Sequence, residues 1–152
     1  MLGSSFVKRK YVPDLSRQMA QCEANYMRIM KLLPDLDNCD SREFQISREP
    51  LRTLIRLEVA ERFAYTSTIA VSQQQEGASA WLAAPTLVVR LYHDAGMAEV
   101  VCTRRRQISG VYPYPNPDMH QPDEKAQLND YLGEWLSHCL SHGHQIEPVY
   151  AG

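Results

Sequence analysis

The sixteen residues Leu87-Val88-Val89-Arg90-Leu91-Tyr92-His93-Asp94-Ala95-Gly96-Met97-Ala98-Glu99-Val100-Val101-Cys102 decide the fold class. Leu87, Val89 and Leu91 repeat with a period of two, and Val100 and Cys102 resume that period after Asp94-Ala95-Gly96. Side chains alternate between the faces of a strand, so this pattern describes two strands joined by a tight reversal, each with one apolar face. With Ala95-Gly96 as a two-residue turn, Leu91 faces Val100 and Val89 faces Cys102, and both pairs share one sheet face.

Upstream, the same period recurs. Ile55, Leu57 and Val59 alternate with Arg56, Glu58 and Ala60; Tyr65, Ser67, Ile69 and Val71 form the next run; Phe44 and Ile46 predict a short first strand. Gln73-Gln74-Gln75-Glu76-Gly77 reads as a polar connection, and residues 34–42 as a loop rich in Asp and Asn.

Toward both ends the period becomes helical. Leu15, Met19, Cys22, Tyr26, Ile29 and Leu33 draw one apolar stripe, with Asp14 placed to cap the N-terminus and Pro34 to stop the helix. Gln18, Gln21, Asn25, Arg28 and Lys31 occupy the remaining arc. Residues 109–122 are broken by Gly110, Pro113, Pro115, Pro117 and Pro122. Pro122, Asp123 and Glu124 then suit a helix start, Leu128, Leu132, Trp135, Leu136, Cys139 and Leu140 form an apolar face, and Gly143 suits the C-terminal cap. The expectation is a single α+β domain: about five mainly antiparallel strands flanked by helices near 14–33 and 123–142.

Bulk composition narrows the function classes. At 152 residues, 44% hydrophobic and 22% charged, the chain has the size and make-up of one globular domain. A formal charge of −2 gives no general attraction to nucleic acid or an anionic membrane. Cys22, Cys39, Cys102 and Cys139 lie far apart with no CxxC, so zinc-ribbon spacing is absent, and thiols on apolar faces suit a reducing compartment. Lys8-Arg9-Lys10 is followed by no apolar run, and no stretch is long enough to span a bilayer; the expected location is the cytoplasm.

Among the polar residues, His93-Asp94 closes a strand, and successive strand residues point to opposite faces, so the pair cannot hold one metal ion without a bulge. His93, His120 and Asp123, with Glu124 beside them, have suitable chemistry for a small metal-assisted hydrolase, but no fixed spacing, and the helix dipole already accounts for the two carboxylates. His138 and His142 are four apart on one helix without the glutamate of HExxH, and His144 follows. Arg104-Arg105-Arg106, with Lys8-Arg9-Lys10 and the nearby Tyr112 and Tyr114, can grip phosphate and stack on rings, as a surface for RNA or a phosphorylated ligand; the plainer role for three arginines at a strand end is a solvated edge. No Gly-rich phosphate loop and no GxSxG occur.

Val89-Arg90-Leu91-Tyr92-His93-Asp94-Ala95 with Ala98-Glu99-Val100, then Tyr114-Pro115-Asn116 through His120-Gln121, Asp123-Glu124-Lys125 and Trp135-Leu136, together with Tyr11-Val12-Pro13-Asp14, resemble the small proteobacterial YqiB family of unknown function. The similarity runs from about residue 10 to 150. It implies no catalytic residues, cofactor or fold. Members of that family are often encoded near a cyclic-AMP phosphodiesterase and an ADP-ribose pyrophosphatase, which implies nucleotide-linked regulation. Residues 1–9 lie outside the resemblance and read as an extension.

The expected function is therefore a non-catalytic binding or regulatory interaction module, for a protein partner or a small phosphorylated ligand such as a nucleotide. Its expected contact residues are Arg90, Tyr92, Arg104, Arg106, Tyr112 and Tyr114. Neither metal nor other cofactor is expected, nucleic acid is the disfavoured partner, and the hydrolase with His93, His120 and Asp123 is the competing reading.

Overall fold

A computed structural model describes residues 14–48, 51–75, 85–107, 110–113 and 122–150. Along the chain these form α1 (Leu15–Leu32), β1 (Cys39–Arg48), β2 (Leu51–Arg62), β3 (Thr66–Gln75), β4 (Thr86–Tyr92), β5 (Met97–Gln107), β6 (Gly110–Pro113), α2 (Pro122–His142) and β7 (His144–Tyr150). The strands make one seven-stranded sheet in the order β6-β5-β4-β3-β2-β1-β7, antiparallel at every pairing. The α+β class and the two flanking helices are as the periodicity predicts. The additional strands are at the two edges, β6 and β7, in sequence that carries prolines and little alternation. The expected extension at residues 1–9 lies outside the described residues.

Helix ends follow local chemistry. Asp14 Oδ1 accepts the backbone N–H of Arg17 at 3.0 Å, capping α1, and α2 begins on Pro122, whose missing N–H is no loss at a first helical position. At the other end of α1, buried Arg42 reaches back from β1 to donate to Leu32 O at 2.8 Å and to Asp35 at 3.0 Å. Arg62 donates to Leu36 O and Cys39 O, so two arginines from adjacent strands pin the connection into β1. That pinning is why β1 starts at Cys39, within the stretch that reads as loop. β3 likewise continues through the polar run, pairing Gln73 with Ile55 and Gln75 with Thr53, because backbone pairing to β2 outweighs weak side-chain propensity.

The β4–β5 register differs from the two-residue-turn expectation. The reversal takes four residues, His93–Gly96, with Gly96 at φ +65° and its N–H donated to Tyr92 O at 2.8 Å. Leu91 therefore faces Ala98 and Val89 faces Val100. A register shift between Val88 and Val89 then places Cys102 opposite Val88, which leaves that thiol half-exposed. Tyr65, expected within a strand, sits in the β2–β3 turn and is exposed.

One core lies between the sheet and the helices. Leu57, Ile69, Val71, Leu87, Val89, Leu91 and Val100 from the strands meet Ile29, Leu132, Leu136, Trp135 and Cys139 from the helices and Leu33 from the C-cap of α1. Each fully buried aliphatic side chain contributes about 1.5–3 kcal/mol. The two stripes are shorter than the periodicity predicts: Leu15 and Met19 at the start of α1, and Leu140 near the end of α2, are exposed. The buried residues of α1 run from Cys22 to Leu32, its last three turns.

Candidate functional site

The interface between the two helices is polar: Gln21, Asn25 and Arg28, from the polar arc of α1, meet α2 across it. Asn25 is fully buried; its Nδ2 donates to the backbone carbonyl of Asn129 on α2 at 3.0 Å. Asn129 Oδ1 in turn accepts the backbone N–H of Val100 at 2.8 Å. β6 pairs only with Arg104–Gln107, so over the earlier part of β5 it is this helix side chain that supplies an acceptor. A buried N–H left without one costs stability, and this is the reason for a buried asparagine mid-helix.

Around Asn25 the rows Gln21-Asn25-Arg28 and Asp130-Gly133-Ser137 meet. Gly133 allows the close approach: a Cβ there would lie 3.1 Å from Arg28 Nη1, Asn25 Oδ1 and Gln21 Oε1 alike. Above it opens a groove of about 440 Å³ lined by Arg17, Gln21, Arg28, Asp130, Ser137 and His138, with Gly133 at its floor and Glu134 at its rim.

The charges in this groove are arranged unevenly. Asp130 accepts from Arg17 Nη2 at 2.9 Å and from Gln21 Nε2 at 2.9 Å. Burial alone would raise its carboxyl, but those two hydrogen bonds and the Arg17 charge outweigh it and hold the group below the usual carboxylate value. Arg28 has no such partner. Its Nη1 donates to Gln21 Oε1 at 2.9 Å and to Asn25 Oδ1 at 2.7 Å, both neutral, and among the described residues no carboxylate lies within ion-pair distance of it.

The residues singled out from sequence are placed elsewhere. His93 is hydrogen-bonded on both ring nitrogens, to Tyr26 Oη at 3.0 Å and to Ser67 Oγ at 2.8 Å. That arrangement superficially matches a serine–histidine pair, yet Ser67 is 2% exposed in a central strand, and the set ties α1 to β3 and the β4–β5 turn. His120 and Tyr114 lie outside the described residues, as does the side chain of Asp123. No three His, Cys, Asp or Glu side chains are grouped to hold a metal ion among the described residues.

Arg90 and Arg104 are exposed on β4 and β5, on the sheet face turned from the helices. Arg104 stands opposite Thr86, four residues from Arg90 along β4, roughly 13 Å by strand rise. Tyr92 donates to Glu99 Oε1 at 3.0 Å, and Glu99 pairs with Lys125; burial, then this bond to the carboxylate, raises the phenol above its ordinary value. Arg105 and Arg106 lie opposite Tyr112 and Val111 in regular backbone pairing, with no register shift between Arg104 and Gln107.

The helix groove was missed because a polar arc on an amphipathic helix ordinarily faces water. The available signal was a second polar row, Asn129-Gly133-Ser137, with a mid-helix glycine at its centre. One polar row is a solvated face; two rows, one carrying a glycine, point to helices packed through them.

Comparison with known proteins gives a family and no activity. A family model described as "Protein of unknown function (DUF1249)" matches residues 28–145. The chain is 36% identical over 143 residues to the "Uncharacterized protein YqiB" of Escherichia coli strain K12, covering 93% of this chain and 99% of that one, and equally to the proteins of that description in strains O6:H1 and O157:H7. No solved structure matches. The matched segment takes in the end of α1 from Arg28, the sheet as far as the start of β7, and α2, so the α2 rim of the groove and Arg28 fall within it while Arg17 and Gln21 precede it, and the chain belongs to the DUF1249 family of proteins of unknown function.

Proposed function

We propose that this protein is a non-catalytic binding module that recognises a small ligand, of the phosphorylated, nucleotide-like kind, in the polar groove between α1 and α2. The observation that carries the reading is Arg28: a half-buried guanidinium, fixed by two neutral amide oxygens and lining a groove, with no carboxylate among the described residues neutralising it. Structural arginines elsewhere in the fold are used differently. Arg42, also buried, has Asp35 as counter-charge and a helix-end carbonyl to cap. The hydrolase reading has no comparable support, since the ring nitrogens of His93 are both taken by hydroxyls. Buried thiols at Cys22, Cys39 and Cys139 support a reducing, cytoplasmic setting.

A thermal-shift panel of nucleotides, sugar phosphates and their unphosphorylated counterparts tests this. A ligand at 100 times its dissociation constant adds about 2.7 kcal/mol, or roughly 5–11 °C for a domain of this size. Ser137→Tyr, which places a ring in the groove, is expected to abolish the shift. A shift that survives Ser137→Tyr and disappears with Arg90→Ala/Arg104→Ala moves the site to the opposite sheet face.

A further inference from the structure

We infer that the group held in this groove is an anion, a phosphoryl or carboxylate oxygen pair, seated on the Nε–Nη2 edge of Arg28. The inference rests on the groove being the binding site and adds the chemistry of what occupies it.

A guanidinium has five N–H groups. In Arg28 the two on Nη1 are accounted for by Gln21 Oε1 and Asn25 Oδ1. The Nε–H and the two on Nη2 find no acceptor among the described residues. Those three N–H groups include the fork that binds a carboxylate or phosphate through two parallel hydrogen bonds.

The fork is also held in place beforehand. Neither amide that holds Nη1 is free to turn: Gln21 Nε2 is bonded to Asp130, and Asn25 Nδ2 to Asn129 O. Reversing either amide would break two hydrogen bonds and point an N–H at the guanidinium. Arg28 is therefore fixed by groups that carry no charge, and little ordering entropy remains to be lost on binding.

The nearby carboxylate is kept from quenching it. Asp130 already receives Arg17 and Gln21, and Gln21 stands between Asp130 and Arg28, bonded to both. Ser137 and His138 line the same groove and bring a hydroxyl and an imidazole as further donors. Glu134 also lines it, is exposed, and opposes an anion. Its removal is a directional test.

The experiment titrates inorganic phosphate and, separately, acetate into the protein at constant ionic strength, following the Arg28 Nε–H resonance and thermal stability. At least one of the anions is expected to shift that resonance saturably, and the more effective one says whether the group is phosphoryl or carboxylate. Arg28→Gln should weaken binding roughly tenfold to a hundredfold, in line with loss of charge-assisted hydrogen bonds. Arg28→Lys keeps the charge without the planar fork and should fall between. Glu134→Gln, an exposed change that leaves the packing alone, should tighten binding on the order of twofold to fivefold. Saturable binding that is the same in Arg28→Gln, or that weakens in Glu134→Gln, overturns the inference, as does the absence of binding of either anion to the wild type. If the anions fail while an uncharged compound from the panel is lost in Ser137→Tyr, the groove stands and only its anion chemistry falls.

Discussion

Replacing Asn129 by alanine isolates the contact that joins α2 to the sheet. The Asn129 side chain is 6% exposed, and its Oδ1 is the acceptor for the Val100 N–H at 2.8 Å, while its backbone carbonyl, which receives Asn25, survives the change. Val100 is fully buried, so water does not readily replace the lost acceptor. Leaving a buried N–H unpaired costs about 1–3 kcal/mol. Alanine is the better helix former by up to about 0.7 kcal/mol, which offsets part of this. The net expectation is a loss of about 0.5–2.5 kcal/mol, or roughly 1–10 °C in melting temperature for a domain of this length. Two measurements decide it: urea unfolding for the global figure, and amide hydrogen exchange for its location. The Val100 amide should lose protection beyond the global change, while Val89 and Ile69, deep in the sheet, follow the global change alone. A variant at least as stable as wild type, with Val100 exchange unaltered, refutes the reasoning.

Trp135→Ala should cost about 3–5 kcal/mol by chemical denaturation, since Trp135 is 4% exposed and also packs edge-on against Tyr131 at 4.9 Å. Gly133→Ala gains about 1 kcal/mol of helix propensity but crowds Gln21, Asn25 and Arg28; stability should change little by thermal melting while the ligand response in the groove is lost. Burial pushes the Cys139 thiol up to about 12 and raises Cys22, so alkylation near pH 8 should mark half-exposed Cys102 first and reach Cys139 only on unfolding, read by mass mapping. Because the Asp130 carboxyl is held low in the folded state, its stabilisation is present above its unfolded value of about 3.9 and is lost as pH falls through the lower folded value; Asp130→Asn should flatten the acid limb of the stability–pH curve below about pH 4.

How much of this was legible in the sequence depended on which physical cause dominated at each residue. Where side-chain alternation controlled the outcome, as at Ile55, Leu57 and Val59, the reading was direct, because one face is buried and the other wet. Where backbone pairing controlled it, the reading stopped short. Gln73 and Gln74 are strand residues because β2 offers them partners, and Cys39 opens β1 because Arg42 and Arg62 fix the chain before it. The β4–β5 hairpin was legible as a hairpin, but its register depended on a single glycine at positive φ and on a shift near Val88, neither of which alternation encodes. For the candidate site the limit was of another kind. Gln21, Asn25 and Arg28 were seen as a row on one helix; that they face a second helix through Gly133 follows only from the packing.

The central claim, that recognition occurs in the groove between the helices, is tested most directly by mapping amide and side-chain resonance shifts while a nucleoside monophosphate is added to isotopically labelled protein. The account predicts saturable shifts gathered at Gln21, Asn25, Arg28, Gly133 and Ser137, with Arg90, Tyr92 and Arg104 on the far side of the sheet unmoved. Shifts centred instead on Arg90 and Arg104, or none above those produced by salt alone, contradict it.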